Sequence, residues 1–245
     1  MQAFLKMTVS EWRLLLREPA AVFFTLIFPL LLMSLFGSVF GNEPNPELGG
    51  LGSVDLSTPG YIALIIGTTA FMGLPSTLAN YRDQGILRRL RATPVPALTI
   101  LGAQFFVNLI MSALGTVVLI TVGRVWFGLQ LPDAPLALVA AFLICCVSLF
   151  AAGMLLATVL PTARVAQAVG TAVFFPMLFL SGAAMPRQFM PDTLRSVSEV
   201  LPLTRVVMLL NDLWFGGHWN TGALAMLGGV LIIAAVISLR TFRWE

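Results

Sequence analysis

The sequence predicts an all-α integral membrane protein, and three observations predict it. Hydrophobic residues make up 58% of the chain and charged ones only 10%, against about 25% charged in soluble domains. Six apolar stretches reach the length of about 20 residues that a helix needs to cross the hydrocarbon: Val22 to Phe40, Gly60 to Ala79, Leu98 to Gly123, Pro135 to Val159, Val165 to Met185 and Thr221 to Leu239. Four arginines, Arg82, Arg88, Arg89 and Arg91, then crowd the segment between the second and third stretches, and arginine beside a span is held on the cytoplasmic side.

The charges set the orientation. An even number of spans puts both termini on one side. With the arginine loop inside, Lys6, Arg13, Arg17, Arg82, Arg88, Arg89, Arg91, Arg164, Arg240 and Arg243 face the cytoplasm, and only Arg124, Arg187, Arg195 and Arg205 lie outside. That asymmetry predicts N-in, C-in. The net charge of +3 therefore describes orientation in a membrane, and nucleic acid is not an expected partner.

The first twenty residues predict a helix lying at the membrane surface. Leu5, Val9, Trp12 and Leu16 share one sector of a helical wheel, widened by Phe4 and Leu15, while Lys6, Ser10, Arg13 and Arg17 share another. A basic edge beside tryptophan and leucine suits the interface plane; a helix packed on a partner is the alternative. Arg17-Glu18-Pro19 ends it, because proline disfavours helical geometry at the preceding residue. The apolar run that follows is longer than a signal-peptide core and reads as a true span.

Within the spans, Pro29, Pro75 and Pro176 each remove a backbone hydrogen bond and predict kinks. Gly37 and Gly41 form a GxxxG, a signal for close helix packing. Cys145 and Cys146 are adjacent and mid-span, so they read as small buried residues. After the fifth span the pattern breaks. Pro186, Pro191 and Pro202 punctuate residues 182–204, and Leu194, Val197 and Leu201 recur on one face of a helix that Asp192 would cap. That helix is too short to span and is expected to lie on or dip into the outer leaflet, packed against the upper ends of the spans.

Several chemistries are excluded. No Asp, Glu, Lys or Arg lies within the six stretches, so an ion-coupled carrier has nothing to titrate at membrane depth. Lys6 is the only lysine and stands outside any glycine-rich loop, so no phosphate cradle of the GxxxxGK[ST] type exists. Any ATP must be bound by another polypeptide. His218 is the sole histidine and lies outside the spans, which leaves neither a metal cluster nor a buried serine–histidine pair. No catalytic or metal-binding residue is assigned, and no cofactor is expected on this chain.

Three segments together resemble the ABC-2 type permeases, the membrane subunits of ATP-binding-cassette exporters: Arg17-Glu18-Pro19 with Pro29 and Phe36-Gly37; Gly85-Ile-Leu-Arg-Arg-Leu-Arg-Ala-Thr-Pro94; and Ser181-Gly182 with Met185-Pro186, Met190-Pro191 and Leu201-Pro-Leu-Thr204. Their order and spacing agree over essentially the whole chain. The resemblance implies one transmembrane domain over residues 1–245 in the bacterial cytoplasmic membrane. An interfacial helix occupies 1–20, with Trp12, Arg13, Arg17, Glu18 and Pro19 as its marked positions. A cytoplasmic coupling loop occupies 80–96, and an external re-entrant segment 182–204. It implies a separate ATPase in two copies, carrying ATP and magnesium, and a second permease copy, identical or related.

The loop residues Arg82, Asp83, Gly85, Leu87, Arg88, Arg89, Leu90 and Arg91 would dock on the ATPase, the arginines by charge and hydrogen bonds and the leucines as apolar anchors; lipid-headgroup binding is the alternative. Met185, Pro186, Pro191, Leu194, Val197, Leu201 and Pro202 would form the external gate. Thr68, Thr69, Asn108, Thr171, Pro176 and Ser181 are candidates for the substrate path. Polar spans without fixed charge lean toward an amphiphilic, drug-like or lipid-like cargo, with polysaccharide or glycolipid precursors as the alternative in the same family. A membrane-embedded enzyme or structural protein is the alternative from another class.

The topology is testable. In a chain freed of Cys145 and Cys146, single cysteines at Gln84 and Thr193 are expected to react with an impermeant maleimide from opposite sides of the membrane. Labelling of both from one side would sink the six-span arrangement.

Overall fold

The computed structural model describes residues 2–46, 49–86, 97–184 and 190–241. These residues are helical almost throughout, with one isolated β-bridge between Asn45 and Leu51. In chain order the helices are α1 (Gln2–Leu15), α2 (Pro19–Phe40), α3 (Ser53–Asp83), α4 (Ala97–Phe127), α5 (Pro135–Val159), α6 (Ala163–Ser181), α7 (Asp192–Ser198), α8 (Pro202–Phe215) and α9 (Thr221–Thr241). Six of them, α2 to α6 and α9, are long and apolar enough to cross a membrane. The protein is a multi-pass, all-α membrane protein.

The organising element is α3. Every residue from Thr58 to Phe71 is buried, and α2, α4, α5, α6 and α8 all pack against it. A helix that is apolar all round belongs in the middle of a bundle. By contrast α2 and α9 leave Leu31, Leu35 and Val39, and Ile232, Ile233 and Val236, exposed, as suits helices with one side toward lipid.

Pro29 and Pro75 do what their chemistry demands, but by a local change of helix type rather than a break. Each follows a π-helical turn, Phe23–Ile27 before Pro29 and Thr69–Gly73 before Pro75. Proline cannot donate to the carbonyl four residues back, which frees Thr25 O and Phe71 O. Both carbonyls meet a glycine on a neighbouring helix: a Cβ on Gly115 would lie 3.0 Å from Thr25 O, and one on Gly170 only 2.0 Å from Phe71 O. Gly153 of α5 likewise seats against Ala70 O, where a Cβ would lie at 1.9 Å. Glycine lets backbones approach closely in a membrane bundle, and its Cα–H groups contribute weak contacts to the freed carbonyls. Pro176 is exposed on α6 and has no comparable partner described.

Gly37 and Gly41 do not act as a pair. Gly37 is buried against the Phe127 ring, whereas Gly41 ends α2 at a positive φ of +69°, which favours glycine, with its N–H on Gly37 O. One is a contact surface and the other is the stop.

Helix α3 also begins earlier than its apolar stretch suggested, at Ser53 rather than Gly60, and so carries Asp55 into the interior at 1% exposure. The side chain is satisfied locally: Asp55 Oδ1 accepts from Gln130 N at 2.8 Å and Oδ2 from Gly52 N at 3.3 Å. Asn42 completes the junction, its Oδ1 accepting from Val54 N and Asp55 N, both at 3.0 Å, and its Nδ2 donating to Phe127 O. The first amides of a helix need such acceptors, and here a loop asparagine ties α2, α3 and α4 together.

The segment after α6 holds a helix that hydropathy alone left unassigned. Gly182 lies beside Gly60 of α3, while Leu203, at the start of α8, lies beside Gly67, about 10 Å further along α3 at the rise of an α-helix. Helix α8 then returns, burying Leu203, Val206, Val207, Leu210, Leu213 and Trp214 against α3, α5, α6 and α9. Trp214 Nε1 donates to Gln130 O, and Asp133 N to Trp214 O. The hairpin is thereby anchored at the Asp55 end of the bundle.

Gly170→Val is expected to overpack the contact with Phe71 O and to lower the thermal unfolding temperature in detergent by the equivalent of about 1–3 kcal/mol or more. Gly228→Val, at a position whose Cβ would meet nothing within 4 Å, is expected to leave it unchanged. Equal effects of the two would mean that close approach at α3 does not govern packing.

Candidate coupling site

At the Arg82 end of the bundle, α3 finishes on Tyr81-Arg82-Asp83, and all three side chains are engaged. Arg82 donates through Nη1 to Ala157 O at 3.2 Å and through Nη2 to Leu160 O, the last carbonyls of α5. Asp83 Oδ2 accepts from Ala163 N at 2.8 Å, the first amide of α6, whose N-cap Thr162 accepts from Val165 N. The signs match the helix dipoles: a cation sits on a C-terminus and a carboxyl group on an N-terminus. Two consecutive residues therefore clamp the end of α3 across the turn between α5 and α6.

Tyr81 points to the other side. Its hydroxyl donates to Glu11 Oε2 at 2.5 Å, and Gln104 Nε2 donates to the same oxygen. Asn108 Nδ2 continues the chain to Gln104 Oε1 at 3.3 Å. Glu11 is only 4% exposed, and burial, opposed in part by the Tyr81 hydrogen bond and reinforced by Glu18, raises its pKa above the ordinary carboxyl value. Burial raises the carboxyl pKa of Glu18 as well. The inward face of α1 is thus Phe4, Met7, Thr8, Glu11 and Leu15, with Phe4 and Phe106 rings 6.1 Å apart. Leu5, Val9 and Leu16 face outward beside Lys6, Ser10, Arg13 and Arg17, and Trp12 is half-buried.

The expected coupling residues divide. Arg82 and Asp83 hold α5 and α6; Gly85 is a turn residue at φ +64°; Leu87, Arg88, Arg89, Leu90 and Arg91 lie outside the described residues. Of the expected gate, Met185 and Pro186 also lie outside them. Pro191 precedes α7, and Pro202 opens α8. Leu201 packs on the core, but Leu194 and Val197 do not: they are 46% and 58% exposed. The expectation that α7 presses its apolar stripe onto the spans is therefore corrected. α8 fills that place, having more apolar surface to bury over fourteen residues than α7 over seven.

The expected path residues are not gathered either. Thr68 bonds Ile65 O, Thr69 accepts from Ser112 at 3.1 Å, and Ser181 lies in the turn at Gly182, where its hydroxyl accepts from Ala183 N. Asn108 belongs to the Glu11 chain, Thr171 is half-exposed, and Pro176 faces outward on α6.

A family model described as ABC-2 type transporter matches residues 2–215. The chain belongs to the ABC-2 type transporter family. Among similar proteins, one named as transport permease ycf38 from Cyanophora paradoxa is 30% identical over 213 residues, covering 83% of this chain and 71% of that one. Its namesake in Porphyra purpurea is 26% identical over 234 residues, covering 92% and 79%. ABC-2 membership implies an ABC transport system with an ATPase partner, and the clamp and the Glu11 chain are the parts of this ABC-2 subunit beside the loop that follows α3.

Sequence reasoning missed Glu11, Tyr81 and Asn42 as structural polar groups, and it missed α8. For α8 the signal was present, since Leu203, Val206, Val207, Leu210, Leu213 and Trp214 recur at helical spacing. For Glu11 it was not, because an acid on an amphipathic helix looks solvated until its neighbours are known.

Glu11 binds its proton more tightly in the folded chain than in the unfolded one. Its contribution to stability is therefore complete below the unfolded pKa of about 4.3 and declines as pH rises through the folded pKa. Thermal unfolding of the chain is expected to show this downward slope toward neutrality, and Glu11→Gln to flatten it. Glu11→Ala leaves the buried Tyr81 and Gln104 donors without their acceptor and is expected to cost about 1–3 kcal/mol.

Proposed function

We propose that this chain is the membrane-spanning subunit of an exporter that moves an amphiphilic, drug-like or lipid-like substrate out of the cytoplasm, driven by ATP hydrolysis on a separate ATPase. Two copies of each subunit make the working unit. Both termini face the cytoplasm, α1 lies at the inner surface with Leu5, Val9 and Leu16 toward lipid, and the Asp55 end faces outward. Between 182 and 215 the chain dips into the outer side of the bundle and returns.

The observation that carries this reading is the clamp at the end of α3. A docking loop transmits force only if it leaves from a rigid point, and Arg82 and Asp83 bind that point to two further helices. Movement of residues 84–96 by the ATPase is delivered to α3, α5 and α6 together. Through Tyr81 and Glu11 it also reaches α1. The chain has no phosphate cradle of its own, so the energy enters through this contact.

Two variants separate docking from transmission. Arg88→Glu with Arg89→Glu is expected to leave the chain inserted but unable to retain the ATPase on purification, since charge reversal against a complementary surface costs up to several kcal/mol. Arg82→Ala with Asp83→Ala is expected to retain the ATPase while losing most ATP-dependent export in vesicles. Full co-purification and transport by the first pair would remove the loop from the docking role, and undiminished export by the second would remove the clamp from transmission.

A further inference from the structure

A cavity of about 480 Å³ lies at the Asp55 end of the bundle, between the start of α3, the turn after α6, α7 and the second half of α8. Its volume is that of a small-molecule site. The walls are of two kinds. Leu56, Val207 and Phe215 supply apolar surface, while Arg195, Asn211 and Asp212 supply polar groups. One fixed cation and one carboxyl group thus share a single small space.

Both charged groups have other partners and still have capacity. Arg195 is engaged within the protein, but a guanidinium carries five N–H donors. Asp212 Oδ2 accepts from Asn220 Nδ2 at 2.7 Å, and a carboxylate offers about four acceptor positions. An independent observation bears on what else a ligand would carry. The helix that brings Arg195 to the cavity, α7, exposes Leu194, Val197 and the following Val200, the last at 73%. These side chains do not line the cavity, but exposed apolar groups on and next to the helix that carries Arg195 fit a molecule with a polar head and a hydrocarbon tail.

We propose that this cavity is a binding site for a zwitterionic amphiphile. Its anionic group is held by Arg195, its ammonium group by Asp212, and its chain runs along the apolar side of α7. A phosphate suits the guanidinium fork, so a phosphoethanolamine-type head is the chemistry the two charges select over a purely anionic or cationic one. This deepens the export reading and rests on it only for the side of the membrane. In that reading the site faces outward and receives cargo, or outer-leaflet lipid, after passage through the bundle.

Binding is measured on the full chain in neutral detergent, without the ATPase, by native mass spectrometry and by the shift in unfolding temperature. The probes are dodecylphosphoethanolamine, dodecyl phosphate, dodecylamine and phosphoethanolamine without a chain. The zwitterionic amphiphile is expected to bind about tenfold more tightly than either amphiphile that carries charge of one sign only, the ratio given by one further charge-assisted hydrogen bond. Arg195→Gln should weaken the zwitterion and the phosphate and spare the amine. Asp212→Asn, which can still accept from Asn220, should weaken the zwitterion and the amine and spare the phosphate. Val207→Trp should fill the cavity and abolish saturable binding of all of them.

Binding that ignores all three variants overturns the site, as does an absence of saturable binding. Chainless phosphoethanolamine binding as tightly as its dodecyl ester would overturn the amphiphile and leave a head-group site. Loss of ATPase retention with binding intact would count against the export reading and not against the cavity. Retention with no binding would do the reverse.

Discussion

The constraint on which the rest of this structure depends is the burial of α3 on every side in a protein whose other surface is lipid. Water cannot reach the middle of that helix, so each of its polar groups must be met by protein. The two prolines at π turns, Pro75 on α3 and Pro29 on its neighbour α2, show how. Each frees one carbonyl, and each carbonyl finds a glycine on the next helix, Gly115 against Thr25 O and Gly170 against Phe71 O. The helix types and the glycine positions are therefore one arrangement. The kink, the close approach and the central place of α3 are parts of the same solution.

The same demand shapes the two ends of α3. At one end Asn42 and Asp55 satisfy the first amides and tie in the turn before Gln130. At the other, Arg82 and Asp83 meet the free ends of α5 and α6, and Tyr81 meets Glu11 of α1. Groups that satisfy helix termini also join helices to one another. In the coupling we propose, a displacement applied at the end of α3 reaches α5, α6 and α1 as well.

A buried carboxyl group such as Glu11 is costly to place, and the two hydrogen bonds to one of its oxygens offset that cost only in one position of α1. Its value lies in register. An apolar face alone would let α1 slide along α4, since hydrophobic contact is non-directional, whereas Tyr81 and Gln104 accept only one placement. The helix consequently has two attachments of different kind, a specific one to the bundle and an unspecific one through Leu5, Val9 and Leu16 to whatever apolar medium surrounds it.

By itself the sequence determined the fold class, the number of spans, the arginine-rich loop and the family. These follow from composition, segment length and local motif, which are properties of residues near one another in the chain. It also located the prolines and glycines, although not their partnership. The tertiary structure alone decided that Glu11 is buried, that Arg82 and Asp83 cap α5 and α6, that the apolar face of α8 rather than the stripe of α7 packs on the bundle, and that Thr68, Thr69 and Asn108 are occupied inside it. The physical reason is that a side chain's role is set by the partner it meets, and the partners of Glu11, Arg82 and Asp83 stand some 70 to 90 residues away, beyond anything that periodicity along the chain can encode.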